Sequence, residues 1–349
     1  LFLGLGVMGY PMATNLREKA GLDTKILIND VSEEAIERYK EEMKGKGPVD
    51  VVENGYEAAK VAVSSRAVAT ALEPAIPSMG FVDQIHIDVW KQDLIITMLP
   101  NAGAVETVYL DAETGILAGI QNRALDATSE VIIMECGTIE SETINKVSST
   151  TERVDKRLIG GRHVTFVDAP VSGGPMGAQA GNLTFMVGGT SAAFEAVKPI
   201  LQHMGNPDGV IHCGEVGTGT AFKVINNYLS AITSLAASEA LNIGAKMGLD
   251  LKQLTDVINI SGGQCWVTSK SNPVPGIHPN APASRDYEGG FRIELCRKVL
   301  KMGSDLGKMV GARTILDKPT LDAFDEASAD PRYRGKDARV VYKWLNEQP

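Results

Sequence analysis

The sequence predicts an α/β domain with a mostly parallel sheet, followed by an all-helical domain, with a long helix between them. A glycine-rich turn directly follows the first strand, and apolar strand segments then alternate with helical segments as far as residue 187. This alternation is typical of a parallel sheet covered by helices. After residue 217 the readable elements are all helical, and 349 residues are too many for one ordinary core. We place the two domains at residues 1–216 and 217–349.

The glycine-rich turn lies between the strand Leu1–Leu3 and a predicted helix over Tyr10–Lys19. Its residues are Gly4, Leu5, Gly6, Val7, Met8 and Gly9. The spacing G-x-G-x-x-G permits a tight turn, close approach of the backbone to a pyrophosphate, and close packing of helix on strand. We therefore expect these six residues to bind a dinucleotide cofactor.

Asp30 indicates which dinucleotide is bound. It directly follows the second predicted strand, Lys25–Asn29. An acidic residue ~20 positions after such a fingerprint accepts hydrogen bonds from the ribose hydroxyls of NAD. No arginine or lysine lies between Val31 and Glu37 to hold the 2′-phosphate of NADP. We expect NAD as the cofactor, with NADP used less well.

Further strands are predicted where short apolar runs end in turn residues. They cover Asp93–Leu99, Val131–Met134, Val164–Val167 and Leu183–Val187, with a charged helix over Glu140–Leu158. Residues 49–89 show no clear period. Between the last two strands, Ser172-Gly173-Gly174 exposes consecutive backbone N–H groups and a hydroxyl, which suits a carboxylate. A plain surface loop would also explain these glycines.

The long helix is predicted over Gly217–Met247, which contains no proline. About 30 helical residues span ~45 Å. Apolar residues occur on most sides, so we expect most of the helix surface to be buried. Polar residues three or four positions apart form one stripe, consisting of Lys223, Asn226, Asn227, Ser230 and Ser234. A buried lysine and two buried amides are costly unless a polar group such as a substrate faces them.

Lys223 lies about one turn into this helix, where Gly217 and Gly219 permit close approach to the backbone. The positive end of the helix dipole and partial burial both disfavour the ammonium form, so we expect a lowered pKa. A lysine with a lowered pKa can take up and return a proton. The alternative is a lysine whose stem packs in an ordinary core helix while its head reaches water.

Composition excludes several other functions. The net charge of −9 and the lack of a lysine- or arginine-rich run argue against nucleic-acid binding. No apolar run approaches ~20 residues, so no membrane span is expected. The four cysteines are far apart and do not cluster with the histidines, which fits reduced thiols and no metal site. Reduced thiols fit the mitochondrial matrix or the cytoplasm as location. Because the chain begins inside a strand without methionine, we expect its N-terminus to be missing together with any targeting segment.

The motifs GLGVMGYPMATNL, ITMLP, DAPVSGG with GNLTFMVGG, and GTGTAFKVINN occur in this order over nearly the whole chain. Together they resemble the 3-hydroxyisobutyrate dehydrogenase family of β-hydroxyacid dehydrogenases, relatives of 6-phosphogluconate dehydrogenase. The resemblance implies a Rossmann-type N-terminal domain and an all-α C-terminal domain joined by the long interdomain helix. It also implies hydride transfer between NAD(P) and a small β-hydroxy acid, a place in valine catabolism, and a homodimer or homotetramer.

The resemblance also implies roles for individual residues. It matches Lys223 to the family's essential lysine, here a general acid and base, and Asn227 to its substrate-orienting amide. The substrate carboxylate would be held by Ser172, Gly173 and Gly174. Cofactor contacts would come from Leu99, Pro100, Thr138 and Lys298, the last within FRIELCRKVL. Trp266 either walls the substrate pocket, as an aromatic often does in the family, or packs in a helix–helix core.

The chain departs from the family pattern at several positions. Gly137 replaces a serine that contacts substrate, Ala104 replaces a cofactor-contacting asparagine, and Val299 replaces an aspartate. The 49–89 region is also some tens of residues longer than usual. Our interpretation is NAD-dependent oxidation of a 3-hydroxyisobutyrate-like acid. The alternatives are a reductase of tartronate or succinic semialdehyde, and a cofactor-binding scaffold without catalysis.

Overall fold

The computed structural model describes residues 1–64, 93–122, 130–159 and 161–347. The chain divides into two compact units, Leu1–Lys223 and Val224–Pro349. The division falls inside the long helix, and Lys223 is the last residue of the first unit. The domain boundary that the sequence predicts between residues 216 and 217 stays a prediction. Most of the long 49–89 region lies outside the described residues.

The first unit contains a sheet of nine strands among the described residues. The strands are β1 (Phe2–Leu3), β2 (Ile26–Asn29), β3 (Val49–Val51), β4 (Asp93–Thr97), β5 (Glu130–Glu135), β6 (His163–Asp168), β7 (Val171–Ser172), β8 (Leu183–Gly188) and β9 (Gly205–Gly214). Their order is β3-β2-β1-β4-β5-β6-β8-β7, and β9 pairs with β8. All pairs from β3 to β6 are parallel, whereas β8 runs antiparallel to β6 and β7.

Helices follow most of these strands. They are α1 (Gly9–Lys19), α2 (Glu33–Glu42), α3 (Gly55–Ser64), α4 (Ala102–Leu110), α5 (Ile116–Gln121), α6 (Ser141–Asp155), α7 (Gly174–Gln179) and α8 (Ser191–Met204). Consecutive strand residues point to opposite faces of the sheet. Because consecutive residues of the central strands are buried, both faces of the sheet are covered. Ile95 and Ile133 belong to one apolar cluster, while Ile96 and Ile132 belong to the other.

The strand order confirms the predicted Rossmann-type sheet. The chain builds outward from β1 to β3 on one side, and β4 then returns to the other side of β1. The order therefore reverses between β1 and β4, and the carboxyl ends of strands at such a point are where open α/β sheets bind ligands. The segments after β1, β4 and β5 all leave from this edge of the sheet.

The second unit confirms the predicted all-helical half. Its elements are the continuation of α9 (Thr218–Lys246), then α10 (Leu251–Asn259), α11 (Trp266–Lys270), α12 (Ile293–Met309), α13 (Asp317–Ala329) and α14 (Val341–Glu347), with 3₁₀ turns at Pro282–Arg285 and Ala338–Val340. Its main apolar cluster includes Leu235, Tyr287, Leu300 and Phe324. No helix in the described part of the chain is long and apolar enough to cross a membrane.

α9 is less buried than its sequence predicts. Phe222, Ile225, Leu229 and Ile243 are each more than half exposed. Asn226 is exposed and Asn227 is half-buried, so the expectation of two buried amides is also wrong. A helix needs only one stripe to pack on its own unit, and the remaining apolar side chains of α9 face outward. Trp266, on α11, is 58% exposed, so it does not lie in a helix–helix core within this chain.

Candidate active site

The glycine-rich turn after β1 has the geometry that a bound pyrophosphate requires. Gly4 has a φ of +97°, and a Cβ added there would lie 2.5 Å from the carbonyl oxygen of Met98. A Cβ on Gly9 would lie 1.8 Å from the carbonyl oxygen of Gly4. Gly6, in contrast, has no neighbouring atom within 4 Å of such a Cβ and faces open space. Two of the glycines therefore permit close packing, and Gly6 leaves room for a ligand.

The amino end of α1 adds to this fit. Its first turn contains no acidic residue, and no side chain of the described structure caps it. Unpaired N–H groups and the helix dipole at such an end favour a phosphate. The turn and the helix together therefore suit the pyrophosphate of a dinucleotide.

Asp30 follows β2 and lies beside this turn. Its Oδ2 atom accepts a hydrogen bond from the Leu5 N–H at 2.5 Å, and its Oδ1 atom accepts one from the Ser32 N–H at 2.8 Å. Each carboxylate oxygen can accept a second hydrogen bond, which leaves capacity for ribose hydroxyls. Asp30 and Gly6 line one cavity of about 620 Å³. Two backbone N–H groups thus hold the Asp30 carboxylate at the cavity that Gly6 also lines, as a ribose-binding role would require.

Arg38, which is not among the residues predicted from the sequence, lines the same cavity. It lies on α2, one position beyond the Val31–Glu37 window. Its guanidinium carbon lies 4.1 Å from the centre of the Tyr10 ring, a cation–π contact that holds the side chain against α1. A cation is therefore present near Asp30, and it bears directly on the choice between NAD and NADP.

The predicted cofactor contacts Leu99, Pro100 and Thr138 follow β4 and β5 directly. These strands are parallel neighbours, so the three residues leave the sheet at the same edge as the glycine-rich turn. Leu99 and Thr138 are half-buried and Pro100 is exposed. The structure thus brings these contacts to the cofactor edge, while their binding roles stay predictions.

The Ser172-Gly173-Gly174 segment is more ordered than a plain loop. Ser172 ends β7, where it pairs with Thr184 of β8, and α7 begins at Gly174. Gly173 and Gly174 have φ values of +136° and +63°, which side chains rarely adopt. The glycines are therefore required by the change from strand to helix. The half-buried Ser172 stays a candidate anchor for a carboxylate.

Asp168, at the end of β6, holds the start of α9. Its completely buried carboxyl accepts hydrogen bonds from the N–H groups of Gly217 and Thr220, both at 2.6 Å. These donors are the unpaired amides at the beginning of the helix that carries Lys223. The sequence motif contains Asp168, but nothing in the sequence indicates that it binds residues about 50 positions away.

Gly219 serves packing rather than ligand approach. A Cβ there would lie 2.2 Å from the carbonyl oxygen of Met186 in β8. Glycine at position 188 is needed for a similar reason, because a Cβ there would lie 2.3 Å from Oδ1 of Asp168. At Gly219 the close approach predicted from the sequence is made by the chain's own strand. It fixes the position from which α9 carries Lys223.

Lys223 is only 8% exposed, and in the described part of the chain it forms no ion pair. Burial disfavours its ammonium form and lowers its pKa to about 8, in the predicted direction. A lysine with this pKa exchanges its proton close to neutral pH. The side chain is therefore suited to act as an acid or a base.

Asn227 and Lys298 belong to the second unit, on α9 and α12, and both are half-buried. Their roles stay predictions. Further along the predicted polar stripe, the Ser234 hydroxyl donates to the Ser230 carbonyl at 2.8 Å. This serine is therefore satisfied within its own helix.

The described residues contain no cluster of side chains that could hold a metal ion. Cys136, Cys213, Cys265 and Cys296 are all free thiols.

Known proteins are similar to this chain over both of its halves. Residues 1–217 match the NAD binding domain of 6-phosphogluconate dehydrogenase, and residues 217–345 match the NAD-binding family of NADP-dependent 3-hydroxyisobutyrate dehydrogenase. The chain is 34% identical to the probable mitochondrial 3-hydroxyisobutyrate dehydrogenase of Dictyostelium discoideum, over 99% of this chain and 90% of that protein. It is 36% identical to the corresponding probable enzyme of Arabidopsis thaliana, over 98% and 86%.

A solved structure agrees with these sequence matches. The 3-hydroxyisobutyrate dehydrogenase of Mycobacterium tuberculosis, determined with L-serine, superimposes with a TM-score of 0.76 at 29% identity, covering 99% of this chain and 97% of that one. Fold, cofactor motif and sequence therefore agree over both halves of the chain. The chain belongs to the 3-hydroxyisobutyrate dehydrogenase family and is an oxidoreductase that acts on CH–OH groups with NAD as its cofactor.

Proposed function

We propose that the enzyme oxidises a 3-hydroxyisobutyrate-like β-hydroxy acid to its semialdehyde, with Lys223 as general base. The observation that carries this proposal is the buried Lys223, which has a pKa of about 8 and forms no ion pair with any described residue, on a helix whose start is held by Asp168. A general base is most effective when its pKa lies near the working pH. An ordinary surface lysine would be protonated and unable to accept a proton.

In the oxidation, neutral Lys223 accepts the hydroxyl proton of the substrate while the C–H bond on the same carbon breaks. Bound nicotinamide supplies the hydride acceptor. Asn227 orients the hydroxyl towards the lysine, a role taken from its match to the family motif. Lys298, on α12, would contact the bound cofactor, a role that is likewise taken from its match to the family motif.

The carboxylate of the substrate is bound by Ser172, Gly173 and Gly174 in this proposal. The left-handed φ values of the two glycines turn the chain sharply after Ser172, and α7 begins there. A turn of this kind presents consecutive N–H groups on one side, a geometry that binds anions. The M. tuberculosis relative was determined with L-serine, itself a β-hydroxy acid, which supports a site for this class of compound.

The reverse reaction is the second candidate, and the pKa of Lys223 favours it at lower pH. Below about pH 8 the side chain is mostly an ammonium, the form that donates a proton to the alkoxide produced when a semialdehyde is reduced. Tartronate and succinic semialdehydes are the alternatives on this side. The relationship to named dehydrogenases favours an enzyme over a scaffold without catalysis.

A substrate panel tests the proposal. Purified enzyme is assayed with NAD and NADP against 3-hydroxyisobutyrate, L-serine, glycerate and 4-hydroxybutyrate, and in reverse against the corresponding semialdehydes. We expect the highest kcat/KM for 3-hydroxyisobutyrate with NAD. Turnover confined to tartronate or succinic semialdehyde would favour the reductase. NAD binding without turnover of any compound would favour the scaffold.

We propose that residues 217–349 carry self-association as well as substrate contacts. Within the second unit, α9 leaves Ile225, Leu229 and Ile243 exposed at intervals of four and fourteen positions, which places them along one side of the helix. An exposed apolar stripe of this length is unfavourable in water and suits a second copy of the chain.

The names of the Dictyostelium and Arabidopsis relatives include a mitochondrial location, and we propose the mitochondrial matrix here.

A further inference from the structure

Glu135, the last residue of β5, is an acid in a completely buried position. The four residues before it in the strand are apolar and also buried. No lysine or arginine of the described structure pairs with it. A buried carboxyl without a cation is costly, so its remaining contacts must stabilise it. The proposed reaction makes no direct use of this side chain.

The carboxyl of Glu135 connects two neighbouring loops. Its Oε1 atom accepts hydrogen bonds from the N–H of Gly137 at 2.6 Å and from the N–H of Leu99 at 3.4 Å. Its Oε2 atom accepts a hydrogen bond from the hydroxyl of Thr97 in β4. One side chain therefore joins the segment after β4 to the segment after β5.

The network extends to α4. The Thr97 hydroxyl lies 2.6 Å from the hydroxyl of Tyr109, and both side chains are completely buried. When Thr97 donates its single proton to Glu135, Tyr109 donates to Thr97. The Glu135 carboxyl at the end of β5 is thus connected to β4 through Thr97, and through Thr97 to Tyr109 of α4.

The position of the Glu135 carboxyl requires glycine at position 137. A Cβ on Gly137 would lie 2.6 Å from Oε1 of Glu135 and 2.6 Å from the carbonyl oxygen of Leu99, which are contacts too close for real atoms. The serine that the family usually has at this position does not fit while Glu135 binds both loops. The departure from the family pattern at Gly137 therefore has a structural cause in this chain.

The charge of Glu135 changes within the neutral range. Burial raises its pKa to about 7, although the hydrogen bonds from Thr97, Gly137 and Leu99 partly offset this. Tyr109 and Cys136 stay protonated in that range, because burial and Glu135 itself raise their pKa values well above the ordinary values. Burial also raises the pKa of Asp168, although hydrogen bonds from the N–H groups of Gly217 and Thr220 oppose this shift. On the neighbouring strand, Asp168 is paired in register with Glu135, and its carboxyl is bound by Gly217 and Thr220.

We propose that Glu135 is a positioning residue for NAD, whose carboxylate holds the Leu99–Pro100 and Gly137–Thr138 segments in the conformation that binds the cofactor. The inference rests on the cofactor roles assigned to Leu99, Pro100 and Thr138 under the proposed function. Hydrogen bonds to a carboxylate are stronger than those to a neutral acid or amide. Protonation of Glu135 therefore loosens both segments at once, and NAD affinity falls as the pH decreases.

The test is the dissociation constant for NADH, followed by fluorescence from pH 5.5 to 8.5. In the wild type we expect about five- to tenfold weaker binding at the acid end, with a midpoint about 7, from the difference between charged and neutral hydrogen bonds. Glu135→Gln keeps the oxygen and resembles the protonated acid. It should bind NADH with the weaker affinity at every pH.

The matched control is Glu130→Gln, at the exposed opposite end of the same strand, which should retain the wild-type pH profile. Thr97→Val is a second variant for the case that Glu135→Gln does not fold. It removes a hydrogen bond that lowers the pKa of Glu135 and should move the midpoint to higher pH. Thermal unfolding of each variant in the presence of NADH confirms that the sample is folded.

A wild type without a pH step, a step that persists in Glu135→Gln, or a midpoint unchanged in Thr97→Val would overturn the inference. Its failure is distinct from failure of the proposed function, because NADH binding is measured without a hydroxy acid. A pH step lost in Glu135→Gln, in an enzyme that oxidises none of the panel, would retain the inference and refute the proposed substrate class.

Discussion

Replacing Lys223 with methionine should reduce catalysis and increase stability at the same time. The variant Lys223→Met keeps a long apolar side chain in the buried position and removes the ammonium group. Both effects arise from the same physical cause, the burial of an amine without a counter-ion in the described structure. Active-site residues often reduce stability in this way.

The size of the stability effect follows from the pKa of Lys223. Burial lowers it from 10.5 to about 8, and this difference corresponds to about 3 kcal/mol. Below pH 8 both the folded and the unfolded chain hold the proton, so the folded state carries the full cost. Between pH 8 and 10.5 the unfolded chain holds the proton and the folded chain does not, so wild-type stability rises with pH.

Lys223→Met should therefore be more stable than the wild type at pH 7, by up to about 3 kcal/mol. Near pH 9.5 the gain should fall to about 1 kcal/mol, because most of the wild-type cost has then been relieved. Urea unfolding at the two pH values measures the difference. Lys246→Met, at the exposed end of α9, is the control and should show no such gain.

The same variant should lose activity while it still binds NAD. Loss of a positioned acid–base group typically costs 10²–10⁴ in rate, and the loss should appear in kcat. Lys223→Arg should fail nearly as badly, because a guanidinium stays protonated. In the wild type at saturating cofactor, kcat for oxidation should rise with pH through one ionisation at about 8, and kcat for reduction should fall through the same ionisation.

Two results would refute this account of Lys223. One is a near-normal kcat in Lys223→Met with NAD binding intact, which would make the polar stripe of α9 structural. The other is a variant that is less stable than the wild type at pH 7 and shows no dependence on pH. In that case the side chain contributes through packing or a polar contact, and its charge is not penalised in the folded state.

Three further predictions concern the cofactor, the substrate and self-association. We expect kcat/KM for NAD to exceed that for NADP at least tenfold, and the double variant Asp30→Ala with Val31→Arg should shift the preference towards NADP. If the wild type instead prefers NADP and Arg38→Ala loses that preference, the selectivity is set by Arg38. The amide of a good substrate should react about ten- to a hundredfold more slowly than the acid, since a charge-assisted hydrogen bond is lost, and equal turnover would exclude Ser172–Gly174 as a carboxylate site. Leu229→Glu should shift the enzyme to monomers in sedimentation velocity, whereas an unchanged oligomer would place the interface elsewhere.

The central strands were predictable because they are continuous apolar runs. β4, β5, β6 and β8 all lie within two residues of their predicted bounds. The strands at the margins of the sheet were not predicted. β3 has three partly exposed residues, and β9 contains two glycines and a proline before its apolar part, so both depend on pairing with neighbours. α8 was missed as well, and Pro199 within it argues locally against a helix.

The candidate site shows the same limit. The glycine-rich turn and Asp30 follow from spacing in sequence, because strand, turn and helix are consecutive. The contact of Asp168 with Gly217 spans 49 positions, and that of Glu135 with Leu99 spans 36. No local pattern reveals such pairs. The exposure of α9 was also unpredictable, because an apolar helix face that stays exposed in the single chain has the same composition as a face that packs on its own domain.

The two buried acids at the ends of β5 and β6 help to explain why the pKa of Lys223 suits the role of base that we propose for it. A carboxylate beside a lysine favours the ammonium form and raises the pKa of the lysine above its ordinary value. Backbone N–H groups bind both carboxyl groups instead. Glu135 accepts hydrogen bonds from Leu99 and Gly137, and Asp168 accepts them from Gly217 and Thr220. In the described structure neither acid pairs with Lys223, so burial alone sets its pKa at about 8. The acids fix the backbone around the site, and the lysine keeps a proton that it can exchange.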